Sequence, residues 1–441
     1  MNTLRIIKIL LITWVFASCS PEQQVDDRPN IIFIMVDDMG FADLSSYGRT
    51  DYETPRIDAL ISEGIKFTNA YSAAAVCTPT RVALMTGKYP ARTEVGLYEP
   101  ITGGSEEPSD LGLSPKIPTI SSMIKQAGYA TALFGKWHLG RSPQHLPNKH
   151  GFDSFFGITA GSADYIDHEH HTIEELILYE NDKPVEREGY LTNLITDNAI
   201  DFIRKKHDRP FFISLQYTSP HWPWQIPGDD PYPDGVNFRQ GGSPEIFAGM
   251  VKNLDANIGR VLDFLAKNGL EESTLVIFTS DHGGVQFSDM GPFKGKKATL
   301  FEGGIRVPAT ARWPGVISPH TVSEQVVITM DWTVTMLDIA QINTTEDFAF
   351  DGISLLSHFK DSRSITPRQL FWRTSNWSLQ DAYRSENWKY LKNDDGEFLF
   401  DLENDPGEIE NLRDSNPLKF DQLKNEFQQL DEQMLDRLIL N

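Results

Sequence analysis

The sequence predicts an α/β protein with a large, mostly parallel sheet sandwiched by helices, followed by a smaller C-terminal subdomain of antiparallel strands and a helix. Through most of the chain, apolar runs typical of strands buried on both faces alternate with helical segments. From about residue 369 the runs become short and are separated by turns. The 441 residues, 40% of them hydrophobic, suffice for a large core and about two domains.

The strands of the parallel sheet are predicted from continuous apolar runs at 31–36, 131–134, 211–217 and 275–279. Helical signals separate these runs. They are a helix capped by Thr54 with Pro55 in its first turn, a helix closed by Gly128, and an amphipathic helix over 251–265.

The C-terminal part is predicted to be an antiparallel meander with strands at 370–373, 381–384, 388–391 and 398–402. A polar helix over about 417–437 follows it. We therefore divide the mature chain into a catalytic α/β domain at 29–345 and an α+β subdomain at 346–441.

The first 19 residues have the pattern of a secretory signal, because a basic start precedes a short apolar run and small residues. Those small residues directly before Cys19 resemble a bacterial lipoprotein cleavage site, which would make Cys19 the lipid anchor. A plain signal peptide with an incidental cysteine is the alternative. Residues 20–28 are polar and form a tether. We expect an exported, periplasmic or outer-membrane lipoprotein that touches the membrane only through this anchor.

The formal net charge is −22, and the isoelectric point is about 4.9. A protein this acidic, without a basic stripe, is not expected to bind nucleic acid. An anionic substrate would need local positive charge to overcome the overall field, whose distant charges are screened beyond about 8 Å at physiological salt.

Polar side chains follow four of the predicted strands. They are Asp37-Asp38, Lys136 with His138, His221, and Asp281-His282. Open α/β sheets bind ligands beyond the carboxyl ends of their strands. Four such ends that carry acids, bases and a cation predict a single site at this edge of the sheet.

Cys77 stands where a helix is expected to begin, with Pro79 in its first turn and Arg81 one turn further on. Free backbone N–H groups and the positive end of the helix dipole favour an anion and activate a thiol there. From these residue types alone, a buried cysteine in a turn remains the alternative.

The segment Cys77-Thr78-Pro79-Thr80-Arg81, followed by Leu84, Thr86 and Gly87, resembles the signature of the formylglycine-dependent sulfatases. Thr80 stands where serine is commoner in the family and keeps a hydroxyl. The segment 135–140, Gly-Lys-Trp-His-Leu-Gly, resembles the family's second signature. The resemblance implies an alkaline-phosphatase-like fold, oxidation of Cys77 to formylglycine, and a formylglycine-generating enzyme as a maturation partner.

The resemblance also implies a divalent metal bound by Asp37, Asp38, Asp281 and His282, with Cys77 as a further residue of the metal site. Several carboxylates suit Ca²⁺ or Mg²⁺, and Ca²⁺ is our prediction. His282 stands where many relatives have asparagine, and its softer nitrogen favours Mn²⁺ or Zn²⁺ as alternatives.

Catalytic roles are implied in the same way. Lys297 is placed by counting back from the family-like block 302–308, and with Arg81 and Lys136 it would hold the sulfate oxygens. His221, with Lys297, would protonate the departing alcohol. His138 would take a proton from the second hydroxyl of the formylglycine hydrate, which expels sulfate.

Other segments leave alternatives open. The histidines His168, His170 and His171 could bind a second metal, or could lie near the substrate with the Gly-Ser-Ala-Asp-Tyr run at 161–165, as in arylsulfatase-B-like relatives. Trp222 and Trp224 could stack on a sugar or belong to the core. Lys294 and Lys296 are expected to be solvated.

We predict a sulfuric ester hydrolase that removes sulfate from a sulfated carbohydrate. One alternative is a phosphate or phosphonate monoester hydrolase of the same superfamily. Another is a sulfated-glycan-binding lipoprotein in which Cys77 is never matured. The two cysteines are assigned to the anchor and to the active site, so no disulfide is expected.

Overall fold

The computed structural model describes residues 27–104, 107–205, 208–233, 235–342, 348–375 and 378–438. The predicted signal peptide, with Cys19, and most of the predicted tether therefore lie outside the described residues. Among the residues that are described, no helix combines the length and apolar composition needed to cross a bilayer.

The strands follow in chain order as β1 (Asn30–Val36), β2 (Ile65–Phe67), β3 (Ala70–Tyr71), β4 (Ala130–Gly135), β5 (Ser154–Ile158), β6 (Leu178–Glu180), β7 (Lys183–Pro184), β8 (Phe211–Gln216), β9 (Thr274–Ser280), β10 (Ala309–Arg312), β11 (Thr321–Ser323), β12 (Val327–Ile328), β13 (Gln369–Thr374), β14 (Gln380–Ser385), β15 (Trp388–Asn393) and β16 (Gly396–Asp401). The α-helices are α1 (Pro55–Ser62), α2 (Cys77–Thr86), α3 (Ile120–Gln126), α4 (Leu191–Arg204), α5 (Pro244–Lys267), α6 (Glu302–Ile305), α7 (Thr329–Ile339), α8 (Leu356–Lys360) and α9 (Pro417–Asp431).

The main sheet has ten strands in the order β11-β2-β10-β9-β1-β8-β4-β5-β6-β7. β1 pairs in parallel with β8 and β9, and β4 pairs in parallel with β8 and β5. Antiparallel pairs occur towards the edges, between β9 and β10 and between β5 and β6. The predicted large, mostly parallel sheet is confirmed.

Both faces of β1 are buried, which explains its continuous apolar run. Ile32 and Ile34 belong to one core cluster, together with Ile258 of α5. Phe33 points to the opposite face and belongs to a second cluster, together with Val82 of α2. Because alternate residues of a strand face opposite sides, one run of apolar residues anchors helices on both faces.

The C-terminal strands β13 to β16 form a separate antiparallel sheet in sequential order, as predicted. Helix α9 packs on it through Phe420 and Phe427 beside Tyr390. The boundary proposed at residue 345 stays a prediction.

This C-terminal sheet is joined to the rest of the chain by buried polar contacts. The indole nitrogen of Trp372 donates to the carbonyl oxygen of Ser72 over 2.8 Å. Lys389 of β15 lies between the carboxylates of Glu302 and Glu408, with nitrogen–oxygen distances of 2.9 and 2.8 Å. All three of these charged side chains are fully buried, and removing Lys389 would take away the cation that pairs with Glu408.

Two helix boundaries and one helix cap differ from the prediction. Helix α9 ends at Asp431, and beyond it the backbone N–H of Leu435 donates to the carbonyl oxygen of Ala91. Helix α5 begins earlier than expected, because Ser243 caps it by accepting from the N–H of Ile246. Thr54 stands at the N-cap of α1, but its hydroxyl pairs with Ser45 and Asp58 instead of capping the helix.

Candidate active site

The carboxyl ends of four neighbouring parallel strands bring the predicted site together. In the sheet these strands lie in the order β9-β1-β8-β4. Asp37 and Asp38 follow β1, Asp281 and His282 follow β9, His221 follows β8, and Lys136 follows β4. Each of these side chains is buried. The polar side chains that follow these four strands therefore lie at one edge of the sheet, as expected from the sequence.

Cys77 is the first residue of α2 and is buried against this edge. Its Sγ lies 3.2 Å from Nε2 of His282 and 3.7 Å from Oδ1 of Asp37. The Nζ of Lys297 lies 3.7 Å away from the same sulfur. Cys77 is free of any disulfide. A side chain at position 77 thus faces both the acids and a fixed cation.

Arg81 lies one turn further along α2 and reaches the same acids. Its guanidinium lies 3.1 Å from Oδ2 of Asp281 and 3.6 Å from Oδ2 of Asp37. It also donates to Oε1 of Gln216 and to the carbonyl oxygen of Lys136, both over 3.0 Å. Partners at the carboxyl ends of four strands fix the orientation of this planar group.

The two lysines each pair with one aspartate. Nζ of Lys136 lies 2.5 Å from Oδ2 of Asp37, and both side chains have no solvent exposure. Nζ of Lys297 lies 2.6 Å from Oδ1 of Asp38. Together with the pair of Arg81 and Asp281, the positive charges of three side chains thus balance the negative charges of three carboxylates. These contacts hold the cations in place before any ligand binds.

The ionisation of these groups is strongly perturbed. Burial, together with the nearby carboxylate of Asp37, raises the pKa of Asp281 to about 7. Burial also disfavours the charge on Asp37, but Lys136, His221 and Arg81 together outweigh it and lower that pKa to about 2. For Cys77, the ammonium groups of Lys136 and Lys297 outweigh burial and hold the pKa of its thiol well below the usual range.

The donor set fits a divalent cation. The ligand atoms of Asp37, Cys77, Asp281 and His282 all lie within 4.8 Å of one another. His282 donates from Nδ1 to the carbonyl oxygen of Gly283, so the lone pair of its Nε2 faces Asp38 and Asp281, each 3.5 Å away.

Two further observations agree with that fit. The Oδ2 atom of Asp38 is buried and has no hydrogen-bond partner among the described residues. Burial disfavours a charge on His282, but Asp281 and Cys77 raise its pKa to about 9, so negative charge dominates at that nitrogen. A bound cation would give Oδ2 of Asp38 a partner and would be attracted by the negative charge around Nε2 of His282.

The two predicted acid–base histidines both line the cavity at this centre. His221 donates from Nδ1 to the carbonyl oxygen of Trp222 over 2.6 Å, which leaves Nε2 facing Asp38 at 3.6 Å. His138 donates from Nε2 to the carbonyl oxygen of Ile101 over 2.7 Å. The remaining nitrogen of His138 is buried without a described partner, and burial lowers the pKa of this imidazole. Each ring is thus fixed in one tautomer.

A cavity of about 220 Å³ opens above Cys77. His138, His221 and Lys297 line it together with Gly161 and Trp222. The structure therefore gathers all ten predicted site residues around one point, although their catalytic roles stay predictions.

The run at 161–165 contributes to this cavity in two ways. Gly161 and Ser162 line the cavity, and a Cβ at Gly161 would lie 2.7 Å from the ring of His138, so only glycine fits there. Asp164 and Tyr165 are buried beneath it, where the hydroxyl of Tyr165 donates to the carbonyl oxygen of His221.

Of the two alternatives for the histidines at 168–171, the structure favours a place in or beside the cavity wall over a second metal site. His170 and His171 line the cavity with their rings stacked at 4.7 Å, and His168 bonds to the carbonyl oxygen of Gly189. Among the described residues, no group of three close ligands includes any of these histidines.

The structure also shows where the two tryptophans and the two remaining lysines of the sequence analysis lie. Trp222 is half-buried and lines the cavity, whereas Trp224 is buried and meets Phe287 edge to face. Lys294 and Lys296 are exposed, as expected.

Several residues of the site were not found from the sequence. Gln216 holds Arg81, and its position at the end of β8 was the available signal. Arg141 and Arg239 line the cavity from loops that carry no periodic pattern. Gln380 of β14 bonds to Ala298 and Leu300 beside Lys297, and nothing in the sequence joins these distant segments.

Comparisons with known proteins give consistent matches. The family model Sulfatase matches residues 29–342, and a model described as N-sulphoglucosamine sulphohydrolase, C-terminal, matches residues 294–436. The N-acetylgalactosamine-6-sulfatase of Rattus norvegicus is 32% identical over 390 residues, covering 83% of this chain and 72% of the rat protein. The arylsulfatase of Hemicentrotus pulcherrimus is 34% identical over 354 residues, covering 74% of this chain and 61% of that protein.

A solved structure resembles nearly the whole chain. The crystal structure of Ps i-CgsB in complex with k-i-k-neocarrahexaose superimposes with a TM-score of 0.83 at 29% sequence identity. The match covers 94% of this chain and 95% of that one. The likeness therefore extends over both sheets.

Proposed function

This chain belongs to the sulfatase family, as a type I sulfatase of the alkaline phosphatase superfamily, and from that premise we propose that it desulfates a carbohydrate using a formylglycine made from Cys77. The observation that carries the proposal is the position of Cys77. Its sulfur lies 3.7 Å from both an acid, Asp37, and a cation, Lys297, at the start of a buried helix. A nucleophile placed there would meet a sulfate held by fixed charges.

Arg81, Lys136 and Lys297 bind the sulfate group in this proposal. All three are buried or nearly so, and each is held by an aspartate. Donors already fixed in a site that excludes water stabilise the charge that builds up on the sulfate oxygens without reorganising. The reaction therefore needs little movement of these side chains.

Two histidines move the protons. His221 presents Nε2 to the centre and, with Lys297, protonates the oxygen of the departing sugar. His138 presents its unpartnered Nδ1 and accepts a proton from position 77 when sulfate is released. Because each ring's other nitrogen is bonded to a backbone carbonyl, neither histidine rotates out of position.

Asp37, Asp38, Asp281 and His282 would hold a divalent cation, and we propose Ca²⁺, with Mg²⁺ or Mn²⁺ as alternatives. Such an ion supplies Lewis acidity that lowers the pKa of a hydroxyl beside it. Formylglycine supplies an aldehyde whose hydrated form has two hydroxyls, one to react and one to lose a proton.

A carbohydrate substrate is supported by the proteins that this chain resembles. One is named for a sulfated N-acetylgalactosamine, and another was crystallised with an oligosaccharide. The half-buried Trp222 in the cavity wall offers a flat apolar face of the kind that stacks on sugars.

The experiment compares the parent protein with Cys77→Ser, each co-expressed with a formylglycine-generating enzyme. Serine keeps a hydroxyl but lacks the second one needed to release sulfate, so turnover of an aryl sulfate should fall more than about a thousand-fold. Thr86→Ser on the same helix serves as the control. Equal turnover by Cys77→Ser and the parent would refute the mechanism.

The same assay separates the rival functions. A phosphate or phosphonate monoester hydrolase would turn over an aryl phosphate faster than the aryl sulfate. A glycan-binding lipoprotein would turn over neither. We expect the aryl sulfate to be the faster substrate.

We further propose that the protein is exported and anchored through a lipid on Cys19, which rests on the sequence pattern alone. Fractionation of cells expressing Cys19→Ala should move the protein out of the membrane fraction. Retention there would argue against the anchor.

A further inference from the structure

A second cavity lies beside Lys297, on the side away from His138. It has a volume of about 240 Å³ and is lined by Trp222, Trp224, Arg239, Val285, Gln286, Lys296 and Lys297. Trp222, Arg239 and Lys297 also line the cavity above Cys77. The two cavities therefore adjoin, and a substrate that extends past Lys297 enters the second one. We call this second cavity the tryptophan subsite.

The tryptophan subsite is lined by positively charged side chains, whereas the protein as a whole is negatively charged. The chain carries 62 acidic and 40 basic residues, yet none of the described residues that line either cavity is acidic. Lys297 already faces Asp38 and the reacting centre. Arg239 and Lys296 are exposed and add positive charge beyond it. Such a local excess in an acidic protein favours an anionic ligand.

The subsite also offers a surface for a sugar ring. Trp222 is half-buried and borders both cavities, and the guanidinium of Arg239 lies 5.1 Å from the centre of its ring. Trp224 is held edge to face against Phe287. An aromatic face beside cations suits a sugar that carries an anionic substituent.

The opposite end of the main cavity has a different character. A third cavity there shares Ile101, Gly103 and Arg141 with the main one, but Glu107 and Glu175 line its far wall. An anionic group is disfavoured at that end. The asymmetry gives the substrate a direction across the site.

We propose that the tryptophan subsite binds a sugar unit next to the one that is desulfated, and that this neighbouring unit carries its own anionic group, a sulfate or a carboxylate. The inference rests on the proposed function, because it needs a carbohydrate sulfate above Cys77. The substrate is then an oligosaccharide with at least two anionic groups, and Arg239 and Lys296 determine its specificity.

Binding is tested by calorimetry in the Cys77→Ala background, which has no side chain at position 77 that can attack sulfur, so that no ligand is consumed. The probes are a carrageenan hexasaccharide with its sulfates, the same hexasaccharide after chemical desulfation, and a hexasaccharide of unsulfated chondroitin that carries only carboxylates. The sulfated probe should bind at least about ten-fold more tightly than the desulfated one. The carboxylated probe decides which anion the subsite accepts.

Arg239→Gln with Lys296→Gln is the test variant, and Lys294→Gln is the matched control. Lys294 is an exposed lysine on the same loop, and it lines neither cavity. The double variant should weaken binding of the tighter anionic probe at least about five-fold, whereas the control should not. Equal affinities for the double variant and the control, or equal binding of charged and uncharged probes, would overturn the inference.

Turnover of an aryl sulfate, measured with Cys77 intact, separates the two proposals. An aryl sulfate is too short to reach the tryptophan subsite, and Lys296 lines that subsite without lining the cavity above Cys77, so Lys296→Gln alone should keep its kcat/KM. If the parent lacks this activity, the proposed function fails. If activity is present but the affinities do not change, only the subsite fails.

Discussion

Lys297 shows how a single side chain is fixed by contacts far apart in the sequence. Its ammonium meets Asp38 at 2.6 Å and the sulfur of Cys77 at 3.7 Å. Its backbone N–H donates to the carbonyl oxygen of Gly284. Burial disfavours its charge, but Asp38, Cys77 and Asp37 together outweigh burial and raise the pKa of this lysine. The cation is therefore present at any pH at which the protein would work.

Lys297→Ala should lower kcat/KM for an aryl sulfate by about 10²–10³, because a fixed donor to the developing charge is lost. Lys294→Ala is the control, since that exposed lysine has no place at the centre. Steady-state kinetics of both variants provide the measurement. A loss of less than two-fold in Lys297→Ala would remove this lysine from the mechanism.

Site residues that lie within a recognisable local motif could be predicted from the sequence. Cys77 and Arg81 lie four apart on one helix, and Asp37 follows an unmistakable strand. Gln216 and Arg239 were missed for a physical reason. A glutamine at a strand end and an arginine in an irregular loop have no distinctive pattern, and only tertiary folding brings them to Arg81 and Trp222.

At the scale of elements, the C-terminal sheet supports the loop that carries Lys297. Gln380, the first residue of β14, accepts from the N–H of Leu300 over 3.0 Å and donates to the carbonyl oxygen of Ala298 over 2.9 Å. Ala298 has a left-handed backbone with φ of 70°, which is strained for a residue with a Cβ. The hydrogen bonds of Gln380 hold the loop in that conformation.

Gln380→Leu should therefore lower both activity and stability. It leaves a buried N–H and a buried carbonyl unpaired, at a cost of about 1–3 kcal/mol in the free energy of unfolding. The freed loop would also misplace Lys297 and lower kcat. Gln369→Leu, at an exposed position in β13, is the matched control. Thermal unfolding and kinetics together test this, and an unchanged kcat would mean that β14 does not position the lysine.

The long central strands were predictable because each apolar run is buried on both faces, as in β8 and β9. The edge strands were not. β7 and β12 have two residues each, too few to show any periodicity. The end of α9 was also missed, because a contact between Leu435 and Ala91 redirects the chain where the helical pattern continues.

At the scale of the whole molecule, the fold concentrates positive charge in one place of an acidic protein. The net charge is −22, yet Arg81, Lys136 and Lys297 converge on one edge of the sheet. Three buried carboxylates lie among them. These cations balance the carboxylates in charge but leave Oδ2 of Asp38 without a hydrogen-bond partner among the described residues. A divalent ion that binds this site in the folded state alone should therefore stabilise the protein.

Chelation should lower the melting temperature, and Ca²⁺ should restore it. A ligand at about 100 times its Kd adds about 2.7 kcal/mol to the free energy of unfolding, which corresponds to a shift of about 3–5 °C here. Asp38→Asn should abolish the shift, whereas Asp361→Asn, at an exposed position, should keep it. A melting temperature that does not respond to metal in the parent would argue against the site.

The composition and the charge predicted the class and size of the molecule, but they could not place the C-terminal sheet relative to the ten-stranded sheet. That arrangement depends on contacts such as Lys389 with Glu302, which lie 87 residues apart in the sequence. The sequence contains each partner as an ordinary charged residue. In the folded protein both side chains are buried, and the pair then connects β15 of the C-terminal sheet to α6.

The account rests on the chemistry of the side chain at position 77. The most direct measurement is the intact mass of the peptide that contains Cys77, taken from protein co-expressed with a formylglycine-generating enzyme and active on an aryl sulfate. We predict that this peptide has lost its sulfur and reacts as an aldehyde with a hydrazide. A fully active preparation in which the thiol is intact would contradict the account.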